Sequence, residues 1–199
     1  MVTNRYRIIL ASNSPRRKEL LASLGIPFEV RVLDDIDESY PKDLPMEEIA
    51  SYISVKKAQA YQRTTADDEL IITADTIVVL GNQVMGKPHD AAEARHMLRE
   101  LSGKTHQVIT GVCMTTKDRQ TRMSVETDVT FKRLTDEEIN YYVDNYRPFD
   151  KAGAYGIQEW IGYIGVTSMN GSYFNVMGLP VQRIYEELKC FGVKKDVKS

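Results

Sequence analysis

Ser12, Ser14, Arg16, Arg17 and Lys18 fall where a short apolar run, Ile8-Ile9-Leu10, gives way to a helical pattern ending in Leu20 and Leu21. Ser14 suits the N-cap and Pro15 the first helical position, so the three cations occupy the first turn, where free N–H groups already carry partial positive charge. A cation placed there costs roughly 0.3–1 kcal/mol. An anion at the same point reverses that balance, because helix N–H groups, two hydroxyls and two guanidiniums then direct donors at it. The turn reads as a phosphate or polyphosphate site, against the plainer alternative of a solvated basic turn.

Asp75 is the second chemical signal. It sits in Ala74-Asp75-Thr76, between the apolar runs Leu70-Ile71-Ile72-Thr73 and Ile77-Val78-Val79-Leu80. A carboxylate in such surroundings pays for desolvation unless a cation, a metal or hydrogen bonds compensate it, which is a common condition of catalytic acids. The bland alternative is an aspartate satisfied by backbone amides at a strand end. Gly86-Lys87-Pro88 supplies a cation just beyond the hairpin turn at Gly81-Asn82. The acids Asp34, Asp35, Asp37 and Glu38 include oxygen donors of the kind magnesium uses when it travels with substrate phosphates.

The elements that must position these groups alternate between strand and helix. Phe28 to Val32 alternates as a strand after Gly25 ends the first helix, and a second helix is expected from Met46 to Tyr61 with Ile49, Ile53 and Ala60 inward. On that wheel Lys56 lies near the centre of the apolar face and Lys57 at its edge, so one lysine faces a cleft or the interior unless its stem snorkels out. Asp90 with Glu93, and Thr135 with Glu138, start two further helices, the first running to Leu101 and the second carrying Ile139, Tyr142, Val143 and Tyr146. Strands are expected over 107–114 and 123–132. A glycine-rich segment, Asp150 to Gln158, precedes a strand pair turning at Asn170-Gly171, and Pro180 opens a last amphipathic helix before a basic tail from about residue 192 that is expected to fray. The order argues for a mixed α/β fold, one domain over residues 1–199 with two lobes around a central cleft.

Composition narrows the function classes. The chain has 199 residues, 42% of them hydrophobic, and a formal net charge of -2, so no global field draws it to a nucleic-acid polymer. The two cysteines are too few for a disulfide framework, and no apolar run approaches the roughly 18 residues of a membrane span. With no signal-peptide pattern at the N-terminus, a cytoplasmic address is expected. His89, His96 and His106 lack zinc-site spacing. Gly153-Ala154-Tyr155-Gly156 matches neither a P-loop nor a dinucleotide fingerprint, which argues against conventional kinases and dehydrogenases.

Leu10 to Leu21, Ala74-Asp75-Thr76 with Gly86-Lys87-Pro88, Leu101-Ser102-Gly103 and Asp150 to Gln158 together resemble the Maf family of nucleotide pyrophosphatases, over nearly the whole chain and in the same order. The Gln158 motif is similar to the branch acting on dTTP and UTP, not the one preferring 7-methyl-GTP. The resemblance implies an elongated α/β fold related to inosine triphosphate pyrophosphatases. It also implies hydrolysis of a nucleoside triphosphate to monophosphate and pyrophosphate with a divalent cation, Mg2+ or Mn2+. Position by position, it makes Asp75 the proton acceptor and Arg16, Thr76 and Gln158 the positions setting substrate choice. Ser12, Arg17, Lys57 and Lys87 become phosphate-contacting positions, with Lys57 favoured over Lys56, and Glu38 an acid near the metal. A homodimer is implied as well. Asp75 as metal ligand instead of base stays open, as does a non-catalytic regulator of septum formation that binds nucleotide without turnover.

Overall fold

Ile8, Ile9 and Leu10 are each at most 2% exposed. That continuous burial suits a strand covered on both faces and flanked by parallel neighbours. In the computed structural model, which describes residues 5–193, this strand, β1 (Arg7–Leu10), pairs in parallel with β2 (Phe28–Val30) on one side and β3 (Glu69–Leu80) on the other. Helix α1 (Pro15–Ala22) makes the crossover to β2, and α2 (Met46–Gln62) precedes β3. The hairpin at Gly81, whose φ of +57° suits glycine, leads into β4 (Gln83–Met85), antiparallel to β3.

The chain continues as α3 (Ala91–Leu101), β5 (Thr105–Thr115), β6 (Gln120–Phe131), α4 (Asp136–Tyr146), a 3-10 turn over Ala152–Ala154, α5 (Trp160–Gly165), β7 (Val166–Asn170), α6 (Tyr173–Met177) and α7 (Val181–Cys190). The seven strands form one mixed sheet in the order β2-β1-β3-β5-β6-β7, with β4 beside β3. The expected mixed α/β class is therefore present.

Two compact units divide the described residues. One holds those through Asp75, Thr110–Val125 and those from Gly178; the other holds Thr76–Ile109 and Glu126–Met177. In the first, Ile9, Ile71 and Tyr61 form an apolar cluster between β1, β3 and α2. In the second, Leu98 and Leu101 of α3, Val129 and Phe131 of β6 and Tyr142 and Val143 of α4 belong to one larger core. The α4 cap is reciprocal, Thr135 Oγ1 accepting from the Glu138 amide and the Glu138 carboxylate from the Thr135 amide.

The apolar runs either side of Asp75 join in one unbroken twelve-residue strand. Three expectations need correction. Ala60 is exposed, and the inward face of α2 is Ile49, Ala50, Ile53, Ser54, Ala58 and Tyr61. Tyr146 is 38% exposed and stacks on Tyr142 with centroids 5.0 Å apart. After Asn170-Gly171 comes the short helix α6, not a second strand. The amide of Ser172 donates to Thr127 Oγ1 at 3.0 Å, and buried Asn175 donates its side chain to the Val108 carbonyl, also at 3.0 Å, which holds the chain helical against β5 and β6. The expected basic tail lies, from residue 194, outside the described residues.

Candidate active site

Helix α2 and strand β3 build the first cluster. Thr73 and Asp75 are two residues apart on β3 and share a face, as Ser54 and Lys57, three apart on α2, share theirs. Thr73 Oγ1 donates to the Ser54 carbonyl at 2.7 Å and docks the helix; one turn on, Lys57 Nζ donates to Asp75 Oδ1 at 2.8 Å. The same ammonium meets Glu38 Oε1 at 3.0 Å. The Lys57 and Asp75 side chains are 13% and 14% exposed and that of Glu38 is 50% exposed. Lys57 is thus the lysine that meets Asp75, whereas Lys56 turns to Asp37 and Ser39. The wheel had put Lys56 at the centre because counting Ala60 as inward rotated the face; a face drawn through Ala50, Ser54 and Tyr61 passes through Lys57.

Close approach of α2 depends on Gly111 of β5. A Cβ added there would lie 2.2 Å from the Ala50 carbonyl carbon, so only glycine lets the helix backbone come so near.

At the start of α1, Ser14 Oγ accepts from the Arg17 amide and Ser12 Oγ from the Ser14 amide, at 3.4 and 3.2 Å. Each hydroxyl keeps its own O–H for donation. Arg16, Arg17 and Lys18 follow with no acid in the first turn, the arrangement the sequence suggested. Arg17 also reaches across the unit: Nε donates to the Gly178 carbonyl at 2.8 Å and Nη1 to the Ala74 carbonyl at 2.9 Å. It grips the backbone immediately before Asp75. Burial pushes the Arg17 guanidinium down from the ordinary arginine range, and the Asp75 carboxylate opposes that shift. Ser12, Arg16, Arg17, Glu38, Lys57 and Asp75 all lie in this first unit.

Thr76, Lys87 and Gln158 lie in the second unit. Lys87 is exposed just after β4, and its neighbour Gly86 accepts from the Gly153 amide at 3.0 Å, joining the lysine turn to the segment that ends in Gln158. Gly153 sits at φ +67° against Val78 of β3, where a side chain would strain the turn. Gln158 is half-buried, and its Oε1 is buried with no hydrogen-bond partner. Close to it, Lys151 Nζ contacts Asp150 Oδ1 at 2.7 Å and Glu159 Oε1 at 3.1 Å, while Tyr142 donates its hydroxyl to Glu159 Oε2 and accepts from the Gly156 amide.

A divalent cation fits the first unit by the chemistry of its donors. Two carboxylates, Glu38 and Asp75, reach the same ammonium within 3.0 Å, and hard cations that accompany phosphates need only one or two such oxygens. Among the described residues no three His, Cys, Asp or Glu side chains group as a complete protein cage.

Residues 7–191 match the family model described as Maf-like protein. The chain belongs to the Maf family. Its curated relatives include the dTTP/UTP pyrophosphatase of Phocaeicola vulgatus, 65% identical over 93% of this chain and 96% of that protein. The dTTP/UTP pyrophosphatases of Parabacteroides distasonis and Bacteroides thetaiotaomicron are 63% and 59% identical, each over 94% of this chain and 97% and 96% of theirs. A structural likeness to a nucleoside-triphosphatase of Mycobacterium abscessus, with TM-score 0.44 and 13% identity, is too slight to carry weight.

Several residues that shape this Maf site give no clear signal in sequence. Thr73 and Gly111 look like ordinary strand residues until α2 is seen against them. Tyr142 was legible only as a core position of α4. Lys151 lies within the glycine-rich segment and Glu159 follows it, and the two are recognisable as partners only once that segment is folded.

Proposed function

We propose that this Maf-family chain hydrolyses dTTP and UTP between the α and β phosphates, releasing the nucleoside monophosphate and pyrophosphate. The observation that carries the reading is the carboxylate of Asp75, mid-strand and largely covered, hydrogen-bonded to Lys57, which also binds Glu38. The names of the relatives at 58–65% identity support the substrate class.

The reaction asks for charge neutralisation, a positioned water and removal of its proton. Ser12 and Arg17 at the start of α1, Lys57 and Lys87 are the phosphate-contacting positions that bind and orient the polyphosphate. Asp75 takes the proton of the attacking water. Lys57 holds the Asp75 carboxylate in position for that task through their 2.8 Å hydrogen bond. Glu38 would hold a divalent cation, which would offset phosphate charge and polarise the phosphoryl oxygen. Arg16, Thr76 and Gln158 set substrate choice: the Gln158 amide accepts from N3–H and donates to O4 of thymine or uracil, whereas cytosine presents the reversed pair. We place the enzyme in the cytoplasm as a homodimer, as the family resemblance implies; no helix among the described residues is long and apolar enough to cross a membrane.

The test is pyrophosphate release from dTTP, UTP, CTP, dATP, GTP and 7-methyl-GTP with magnesium or manganese, with Asp75→Asn in parallel. Turnover of dTTP and UTP that falls about 10²- to 10⁴-fold in Asp75→Asn is the expected result. Nucleotide binding without turnover on the whole panel would overturn the enzymatic reading and favour a regulator.

A further inference from the structure

Gln158 alone does not explain a preference for uracil over cytosine. A primary amide presents its oxygen and nitrogen in either order, and the two orders match the two bases. Something else must fix the amide. Its own oxygen does not, because Oε1 has no hydrogen-bond partner. The difference between the orientations is therefore left to the electric field of the neighbours.

Those neighbours converge on one point. A Cβ added at Gly156 would lie 2.9 Å from Glu159 Cδ, 3.0 Å from Lys151 Cε and 3.1 Å from Gln158 Nε2. Glycine at 156 leaves the room in which the three side chains meet. Glu159 cannot swing away from this point: Lys151, 9% exposed, holds Oε1 at 3.1 Å, and the Tyr142 hydroxyl holds Oε2 while accepting from the Gly156 amide. Lys151 is shared with Asp150 at 2.7 Å, so its ammonium does not serve the Glu159 carboxylate alone. A carboxylate attracts the NH2 end of a nearby amide and repels its carbonyl end.

Resting on the base-reading role proposed for Gln158, we propose that Glu159, braced by Lys151 and Tyr142, is a specificity-determining positioning residue: it fixes the Gln158 amide in the order that matches uracil and thymine and so rejects cytosine. It acts on the base through Gln158. Loss of its charge makes the two amide orders comparable, and CTP gains relative to UTP.

The experiment compares kcat/KM for UTP and CTP in the wild type, Glu159→Gln, Glu159→Asp and Gln158→Glu, with circular dichroism and a thermal melt for each. Glu159→Gln keeps the shape and removes the charge; the UTP:CTP ratio is expected to fall about tenfold, equivalent to about 1.4 kcal/mol. Glu159→Asp retains the charge and is expected to keep most of the ratio. A Glu159→Gln protein that loses UTP and CTP turnover in equal proportion, at an unchanged ratio, would show a merely structural role and overturn the inference. Should Glu159→Gln fold poorly, Tyr142→Phe removes the hydroxyl brace, together with its bond from the Gly156 amide, and should lower the ratio in the same direction; an unchanged ratio there overturns the inference equally. Gln158→Glu separates the two ideas: if it leaves the ratio untouched, the base-reading role fails first, whereas a ratio that responds to Gln158→Glu but to neither Glu159→Gln nor Tyr142→Phe refutes the bracing alone.

Discussion

Replacing Lys57 by methionine removes the ammonium from between Asp75 and Glu38 while keeping most of the stem's volume. At the observed 2.8 Å, two unit charges attract by roughly 6 kcal/mol at an effective dielectric of about 20, a gross figure that desolvation of both groups offsets in large part. Breaking a covered pair from one side costs about 3–5 kcal/mol, because the remaining charge is left without its partner. Arg17 also acts on Asp75, which holds the loss near the lower end, about 3 kcal/mol. For a chain of this length that corresponds to about 6–12 °C in Tm. A Lys57→Met, Asp75→Asn double variant leaves no covered carboxylate stranded, Glu38 being half-exposed, and should recover about 1–2 kcal/mol of the loss, so a cycle of four thermal melts reads the coupling directly. A Lys57→Met loss below about 0.5 kcal/mol would mean that the pair behaves like an exposed surface bridge. A double variant no more stable than Lys57→Met would mean that the loss came from packing alone, and either result would refute the electrostatic account of the cluster.

Gly111→Ala drives a methyl to within 2.2 Å of the Ala50 carbonyl carbon and should cost about 1–3 kcal/mol by overpacking. Because α2 must shift to admit it, Lys57 moves too, and pyrophosphate release should drop together with Tm; full activity at a lowered Tm would show that the helix position is unimportant to the site. Glu69, almost fully covered, takes both Arg31 Nη atoms at 2.5 and 2.9 Å, and this pairing holds its carboxyl down at about 2 from an ordinary 4.5. A folded-state value below the unfolded one gives stability that is complete above about pH 4.5 and is lost as pH falls from there towards 2. Glu69→Gln should therefore be less stable than wild type at pH 7 and lose less on acidification to pH 3 in urea titrations; parallel pH profiles would contradict the assignment.

Much of this architecture is legible in the chain because its signals are local. Thr135 with Glu138, Asp90 with Glu93 and Gly81-Asn82 each write a cap or turn into a few adjacent residues, and the elements form where those residues put them. Asp75 stands out for the same reason, as a charge among apolar neighbours. What stays hidden depends on distant partners. The inward face of α2 is set by β3 and β5, so an amphipathic count that admitted Ala60 put the wrong lysine at its centre. Asn170-Gly171 looks like a hairpin turn, yet side chains of Thr127 and Asn175, bonded to groups about 45 and 67 residues away, make the following segment helical. The brace around Gln158 joins Tyr142 to Lys151 and Glu159, and its chemistry exists only in three dimensions.

The grip of Arg17 on the Gly178 carbonyl spans 161 positions of the chain. During synthesis the arginine leaves the ribosome long before its partner: at about 5–20 residues per second the interval is roughly 8–32 s. Through that time the basic turn is present as sequence, but its guanidinium has no hold on the far end of the chain. The hold of Arg17 on this far carbonyl is thus made only after residue 178 has emerged, and a chain truncated before that point lacks this fastening beside Asp75.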